Sequence, residues 1–225
     1  GCVGPGLGVR ILCMNQSSPV ESEEEIRAKI TALIASTEPE TEFGVVVPPI
    51  RSVGVQGDNR TYQHCAILLP PTLPPSEHHL AAARRLAHTV PNAIRAINRV
   101  LISLSHASSP ACAAMTPRLS DITPARADTL RQADSVIDTL LQKHNLYGSI
   151  WQFPVVLLPV SFSGDAGAES IVLRPVDSVE AMTAEASQLP PSFCEEARVD
   201  ITAITGIDAV FYDLTPKPPG TIEFE

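Results

Sequence analysis

The 225-residue chain is 44% hydrophobic and 18% charged, a balance that excludes an extended disordered polypeptide. Its net charge of −9 falls entirely in residues 113–225, which hold seven Lys/Arg against sixteen Asp/Glu, whereas residues 1–112 hold nine of each. No basic face for a nucleic-acid backbone can be built from that distribution, and no apolar run reaches the roughly 18 residues of a membrane span.

In chain order, Val9–Cys13 reads as a lead-in strand. Ile26, Ile30, Leu33 and Ile34 then share one helical face behind the acidic run Glu23-Glu24-Glu25, which suits a helix N-terminus. A short buried strand follows at Val45–Val47, a turn-rich segment leads to a second strand around Cys65–Leu69, a helix starts at about Glu77, and a strand closes near Arg99–Leu104. The Ser-, Ala- and Pro-rich stretch Ser103–Ser120 is the natural connector. Beyond it the pattern recurs: a helix capped by Thr123 with Pro124 at N1, strands at Val155–Leu158 and around Ser170–Arg174, a helix from about Val179, and a strand at Ala209–Leu214.

The recurrence is visible residue by residue. Phe43-Gly-Val-Val-Val-Pro-Pro-Ile aligns with Phe153-Pro-Val-Val-Leu-Leu-Pro-Val at an offset of 110, and Ala66-Ile-Leu-Leu-Pro with Ile171-Val-Leu-Arg-Pro at 105. Ile94, Ile97, Val100 and Leu104 then match Ile204, Ile207, Val210 and Leu214, again at 110. The expected fold is α+β: two tandem copies of a small unit, residues 1–110 and 111–225, each with helices on one side of a three- to four-stranded sheet.

Catalytic signatures are absent: no Gly-x-Ser-x-Gly, no Walker loop, and no histidine paired with a nucleophile. Gly4-Pro-Gly-Leu-Gly8 precedes a strand instead of following one, which rules out a dinucleotide fingerprint. The five cysteines form no CxxC pair and no signal-peptide pattern opens the chain, so reduced thiols in a cytoplasmic protein are expected. Two segments stand out. Gly57-Asp58-Asn59-Arg60 presents a planar five-donor cation beside a turn, and the second unit lacks an equivalent. The tail Tyr212–Glu225 sets Lys217 among Pro216, Pro218 and Pro219 and then alternates Ile222 and Phe224 with Glu223 and Glu225.

Gly4–Arg10, Val53–Tyr62, Leu130–Asp134, Met182–Ala184 and above all Lys217-Pro-Pro-Gly-Thr-Ile-Glu-Phe-Glu225 together resemble the C-terminal part of GMP synthetase, in its longer form with a duplicated dimerisation domain. The resemblance departs from the family where Cys2-Val3 replaces Phe-Pro, Pro216 replaces Ser and Phe224 replaces Trp. That family makes GMP from XMP, ATP and glutamine-derived ammonia. Its Cys/His/Glu glutaminase triad and its Ser-Gly-Gly-Val-Asp-Ser phosphate loop are not in this sequence. The resemblance therefore implies a region that makes no GMP alone and binds no cofactor, ATP and Mg belonging to a separate ATP-pyrophosphatase domain. It further implies an XMP site lined by Asp58, Arg60, Gln152, Lys217, Ile222 and Glu223, with Gly4 and Gly6 near the nucleotide. Implied partners are XMP or GMP, the ATP-pyrophosphatase and glutaminase domains, and a second unit within the chain forming a pseudo-dimer, or a second chain forming a homodimer. The competing expectation is a non-catalytic tandem module for self-association or partner docking.

Overall fold

The computed structural model describes residues 6–14, 22–57, 59–109, 115–180 and 182–225. After a 3-10 turn at Gly8–Arg10 come α1 (Glu23–Thr37), β1 (Gly44–Val46), β2 (Arg51–Gln56), β3 (Asn59–Leu69), α2 (Glu77–Ala93) and β4 (Ile97–Ser103). There follow β5 (Thr116–Pro117), α3 (Pro124–Lys143), β6 (Val155–Leu158), β7 (Val160–Ser161), β8 (Glu169–Leu173), β9 (Val176–Asp177), β10 (Glu185–Ala186), α4 (Pro191–Thr202) and β11 (Ile207–Asp213). Side-chain oxygens of Ser22, Ser76 and Thr123 cap α1, α2 and α3 by accepting from the backbone N–H three residues on.

Three expectations are corrected. Val9–Cys13 is not a strand: it holds the 3-10 turn and one bridge, Ile11 to Leu157. The last helix starts at Pro191, twelve residues beyond the expected Val179, because Val176–Asp177 and Glu185–Ala186 pair first and Pro191 then takes the first helical position. The segment 53–62 is the core of a long hairpin, in which β2 pairs with β3 from Arg51–His64 to Gln56–Asn59.

One seven-stranded mixed sheet spans the chain in the order β1-β3-β4-β11-β8-β6, with β2 on β3. Pairing proceeds identically outward from the central antiparallel β4–β11 pair: parallel to the next strand, then antiparallel. At the centre Ile102 lies opposite Tyr212, flanked by Leu101–Asp213 and Ser103–Phe211. The hydrogen bonds there are reciprocal. Val100 N donates to Thr215 Oγ1 at 2.8 Å and Val210 N to Ser105 Oγ at 2.9 Å. Leu214 N donates to Val100 O at 3.1 Å and Leu104 N to Val210 O at 2.9 Å. Each parallel pairing also skips one residue, Asn98 in β4 and Asp208 in β11.

Alternation along the strands separates two faces. Val100 and Ile102 of β4, Val210 and Tyr212 of β11, and Ile171 and Leu173 of β8 pack in the same apolar core as residues of all four helices. Leu101, Ala209, Phe211 and Val172 point to the other face, whose core includes Leu12, Met14, Phe162 and Phe224 and no helical residue. The chain therefore ends by covering the sheet face that the helices leave open.

The reciprocal bonds yield a prediction. Ser105→Ala and Thr215→Ala each leave one backbone N–H of the central strands without its partner, and each is expected to cost about 1–3 kcal/mol in urea unfolding. An unchanged midpoint in both variants contradicts this account of the centre.

Candidate functional site

Three charged groups lie on the tail-covered face with fully buried side chains. Arg99 Nη1 sits 3.0 Å from Asp213 Oδ2, and Arg174 Nε approaches the same oxygen at 3.2 Å without hydrogen-bond alignment. Asp213 Oδ1 accepts from Thr215 Oγ1 at 2.6 Å and Thr215 N at 2.9 Å. Two guanidiniums and one carboxylate leave a buried excess of one positive charge, so the remaining N–H groups require acceptors.

The tail supplies most of them. Arg99 donates to Thr221 O (3.0 Å), Thr221 Oγ1 (2.8 Å), the Glu223 carbonyl and, outside the tail, Val53 O (3.1 Å). Its Cζ lies 3.8 Å from the centroid of the buried Phe224 ring, a desolvated cation–π contact worth about 2 kcal/mol. Arg174 donates to Thr215 O (2.5 Å) and Thr221 O (3.0 Å). The tail also extends the hairpin: Val53 N donates to Phe224 O at 2.9 Å and Val55 N to Pro219 O at 2.8 Å. Gly54 is where the hairpin and the tail touch, since a Cβ there would meet Pro219 O at 2.8 Å and the Asn98 side chain at 2.7 Å.

This arrangement locates the sequence-derived candidates. Arg60 is exposed on β3 opposite Val55, two backbone pairings from Pro219. Lys217 is half-buried and bridges Ala184, with N···O distances of 2.7 and 3.1 Å. Glu223 is held through its carbonyl while its side chain is exposed, and Ile222 is half-buried. Gln152 bridges Val176, which pairs with Ala186 of β10, so Gln152 and Lys217 flank the short β9–β10 ladder. Gly6 is exposed just before the 3-10 turn that contacts β6, at the opposite edge of the sheet from the hairpin. Gly4 and Asp58 lie outside the described residues. The structure thus sets Arg60 and Lys217 at the same end of the tail and does not bring Gly6 to them.

A cavity of about 340 Å³ opens at that end, between Gln56 and Gly57 of the hairpin tip, His88 and Asn92 of α2, Arg95, and the tail prolines Pro216, Pro218 and Pro219. Among the described residues no group of three His, Cys, Asp or Glu side chains could hold a metal ion, and no helix is long and apolar enough to cross a membrane.

Sequence reasoning missed Arg99, Arg174 and Asp213. The signal was present: each charge sits inside an apolar strand run, Ile97–Ser103, Ile171–Arg174 and Ala209–Asp213, at a spacing that turns it to one face. Nearby titrating groups are displaced by the same burial. Desolvation pushes the Cys65 thiol up to about 11 and the Tyr212 phenol up to about 12, and farther away the Cys194 thiol up to about 12. It lowers the Arg174 guanidinium to about 10, still charged at neutral pH.

The raised thiols and phenol set an alkaline limit. Their neutral forms are favoured by the folded state, so their contribution is complete below the ordinary thiol value of 9.0 and is lost as pH rises through 11 to 12. The urea midpoint is expected to hold from neutrality to about pH 9 and to fall above it, with a shallower fall in Cys194→Ala. A midpoint that stays level through the alkaline range refutes this.

Residues 139–224 match the GMP synthase C-terminal domain family. A probable glutamine-hydrolyzing GMP synthase of Leptospira interrogans is 36% identical over 224 residues, covering 99% of this chain and 34% of that protein. The GMP synthase of Dictyostelium discoideum is 30% identical, covering 98% of the chain and 36% of the relative, and that of Thermotoga petrophila is 43% identical over 113 residues, 48% of the chain and 23% of the relative. The chain spans about a third of the length of the curated relatives it matches from end to end. Residues 139–224 thus carry the GMP synthase C-terminal domain, and the chain as a whole is similar in sequence to GMP synthases.

Proposed function

We propose that this chain is the XMP-holding and dimerisation region of a GMP synthase, built from two copies of one unit at residues 1–110 and 111–225 that pair as an internal pseudo-dimer. The mirrored strand pairing and the reciprocal bonds about Ile102 and Tyr212 support the duplication. So does the Thermotoga match, which extends over about one unit's length.

One observation carries the ligand reading: the tail of the second unit is threaded between β2 of the first unit and Ala184, which puts Arg60 and Lys217 at one end of it. In this reading Arg60 and Lys217 neutralise the 5′-phosphate. Gln152 donates and accepts at the base or ribose, Glu223 accepts from a ribose hydroxyl or ring N–H, and Ile222 and Asp58 complete the XMP-binding set. The buried excess charge of Arg99 and Arg174 beneath the tail favours an anion above it. The chain's contribution is positioning, not proton transfer. ATP and Mg are handled by the other domains of the full protein, as is ammonia release from glutamine, and the isolated chain makes no GMP.

Calorimetry of the chain with XMP tests this reading. Micromolar binding is expected, with Arg60→Ala and Lys217→Ala each weakening it about tenfold or more, as for loss of one charge-assisted contact. No heat at millimolar XMP, or binding indifferent to both substitutions, contradicts it.

A further inference from the structure

Each of ten of the chain's arginines donates to a carboxylate, carbonyl or hydroxyl within the fold. The side chains of the other three, Arg51, Arg60 and Arg95, have no hydrogen-bonded or ionic partner among the described residues. All three belong to the hairpin or to the turn just after α2. Such charges are not needed for folding, because each remains hydrated; cations without counter-ions favour an external anion instead.

Arg51 and Arg95 border a second cavity, of about 580 Å³, between α1, the hairpin and the end of α2. Lys29, Tyr62, Gln63 and His64 also line it, and no carboxylate does. Tyr62 is 53% exposed, an aromatic ring left open to solvent on a wall that mixes these polar groups with Ile26, Ile94 and two alanines. His64 is fixed against Pro48 O through Nδ1 at 3.2 Å and is itself buried, so the wall is preformed. Arg95 follows the last turn of α2, whose carbonyl ends offset part of its charge. Arg51 sits on β2 opposite His64, and Tyr62 two residues along β3 from His64, which puts Arg51 and Tyr62 on one side of the hairpin. The volume falls within the roughly 300–1,000 Å³ of small-molecule sites.

We propose that this cavity is a second anion site, distinct from the tail cavity, that takes a phosphorylated ligand of the nucleotide class. Arg51 and Arg95 receive the phosphate, and Tyr62 stacks on the planar ring. Arg95 lines both cavities, so occupancy of one alters the field at the other.

The test is equilibrium binding of ADP to the full chain at low salt, with saturating XMP present so that the proposed XMP site is occupied. Adenosine and inorganic pyrophosphate serve as the ring-only and phosphate-only probes. ADP is expected to bind more tightly than either. Arg51→Gln is expected to weaken it about tenfold and Tyr62→Ala several-fold, while Lys217→Ala leaves it unchanged, with all variants melting close to the parent because none of the three side chains is fully buried. Absence of ADP binding at millimolar concentration overturns the proposal. Equal binding of pyrophosphate and ADP overturns the nucleotide assignment, and loss on Lys217→Ala places ADP in the proposed XMP site and overturns the second site. The reading of the tail cavity is judged separately, by XMP alone and the Arg60 and Lys217 variants.

Discussion

Two buried guanidiniums share one carboxylate at the centre of the open sheet face. Removing such ions from water costs several kcal/mol each unless every N–H finds an acceptor. Asp213 neutralises one charge, and the carbonyls of Thr215, Thr221, Glu223 and Val53 solvate what remains. The tail is therefore the stand-in for water around Arg99 and Arg174. Phe224 seals the arrangement by stacking on Arg99, and the backbone bonds to Val53 and Val55 are the mechanical result.

This constraint explains how a nearly symmetric scaffold comes to hold an asymmetric site. At the offsets that relate the two halves, Arg99 corresponds to Ala209, Asp213 to Ser103 and Arg174 to Leu69. The scaffold bonds are reciprocal, whereas the charged trio has no counterpart. Among the described residues, one end of the sheet receives a tail, and the first half alone carries the long hairpin that the tail joins. The bulge residues show the same divergence: Asn98 bonds to Ser52 beneath the tail, whereas Asp208 gathers Ser161, Phe162 N and Ser163 at a loop with no tail over it.

Most of the framework was legible because it rests on period and punctuation. The helical faces of Ile26–Ile34 and Leu130–Leu141 and the Thr123-Pro124 start all express local physics. The start of the last helix was not legible, because the pairing of Glu185–Ala186 with Val176–Asp177 is a tertiary choice that propensity does not encode. Arg60 and Lys217 stood out by their surroundings in sequence, but the charges that hold the tail in place were concealed within strands that read as apolar. Their spacing gave parity, and only the fold shows that three parities from three strands converge.

The most direct measurement is amide hydrogen exchange at Val53 and Val55, whose N–H groups donate to Phe224 O and Pro219 O. If the buried guanidinium holds the tail, Arg99→Met abolishes protection at these two amides while Val100 and Val210, at the centre of the sheet, keep theirs. Undiminished protection at Val53 and Val55 in that variant would show that the tail is held by something other than the buried charge.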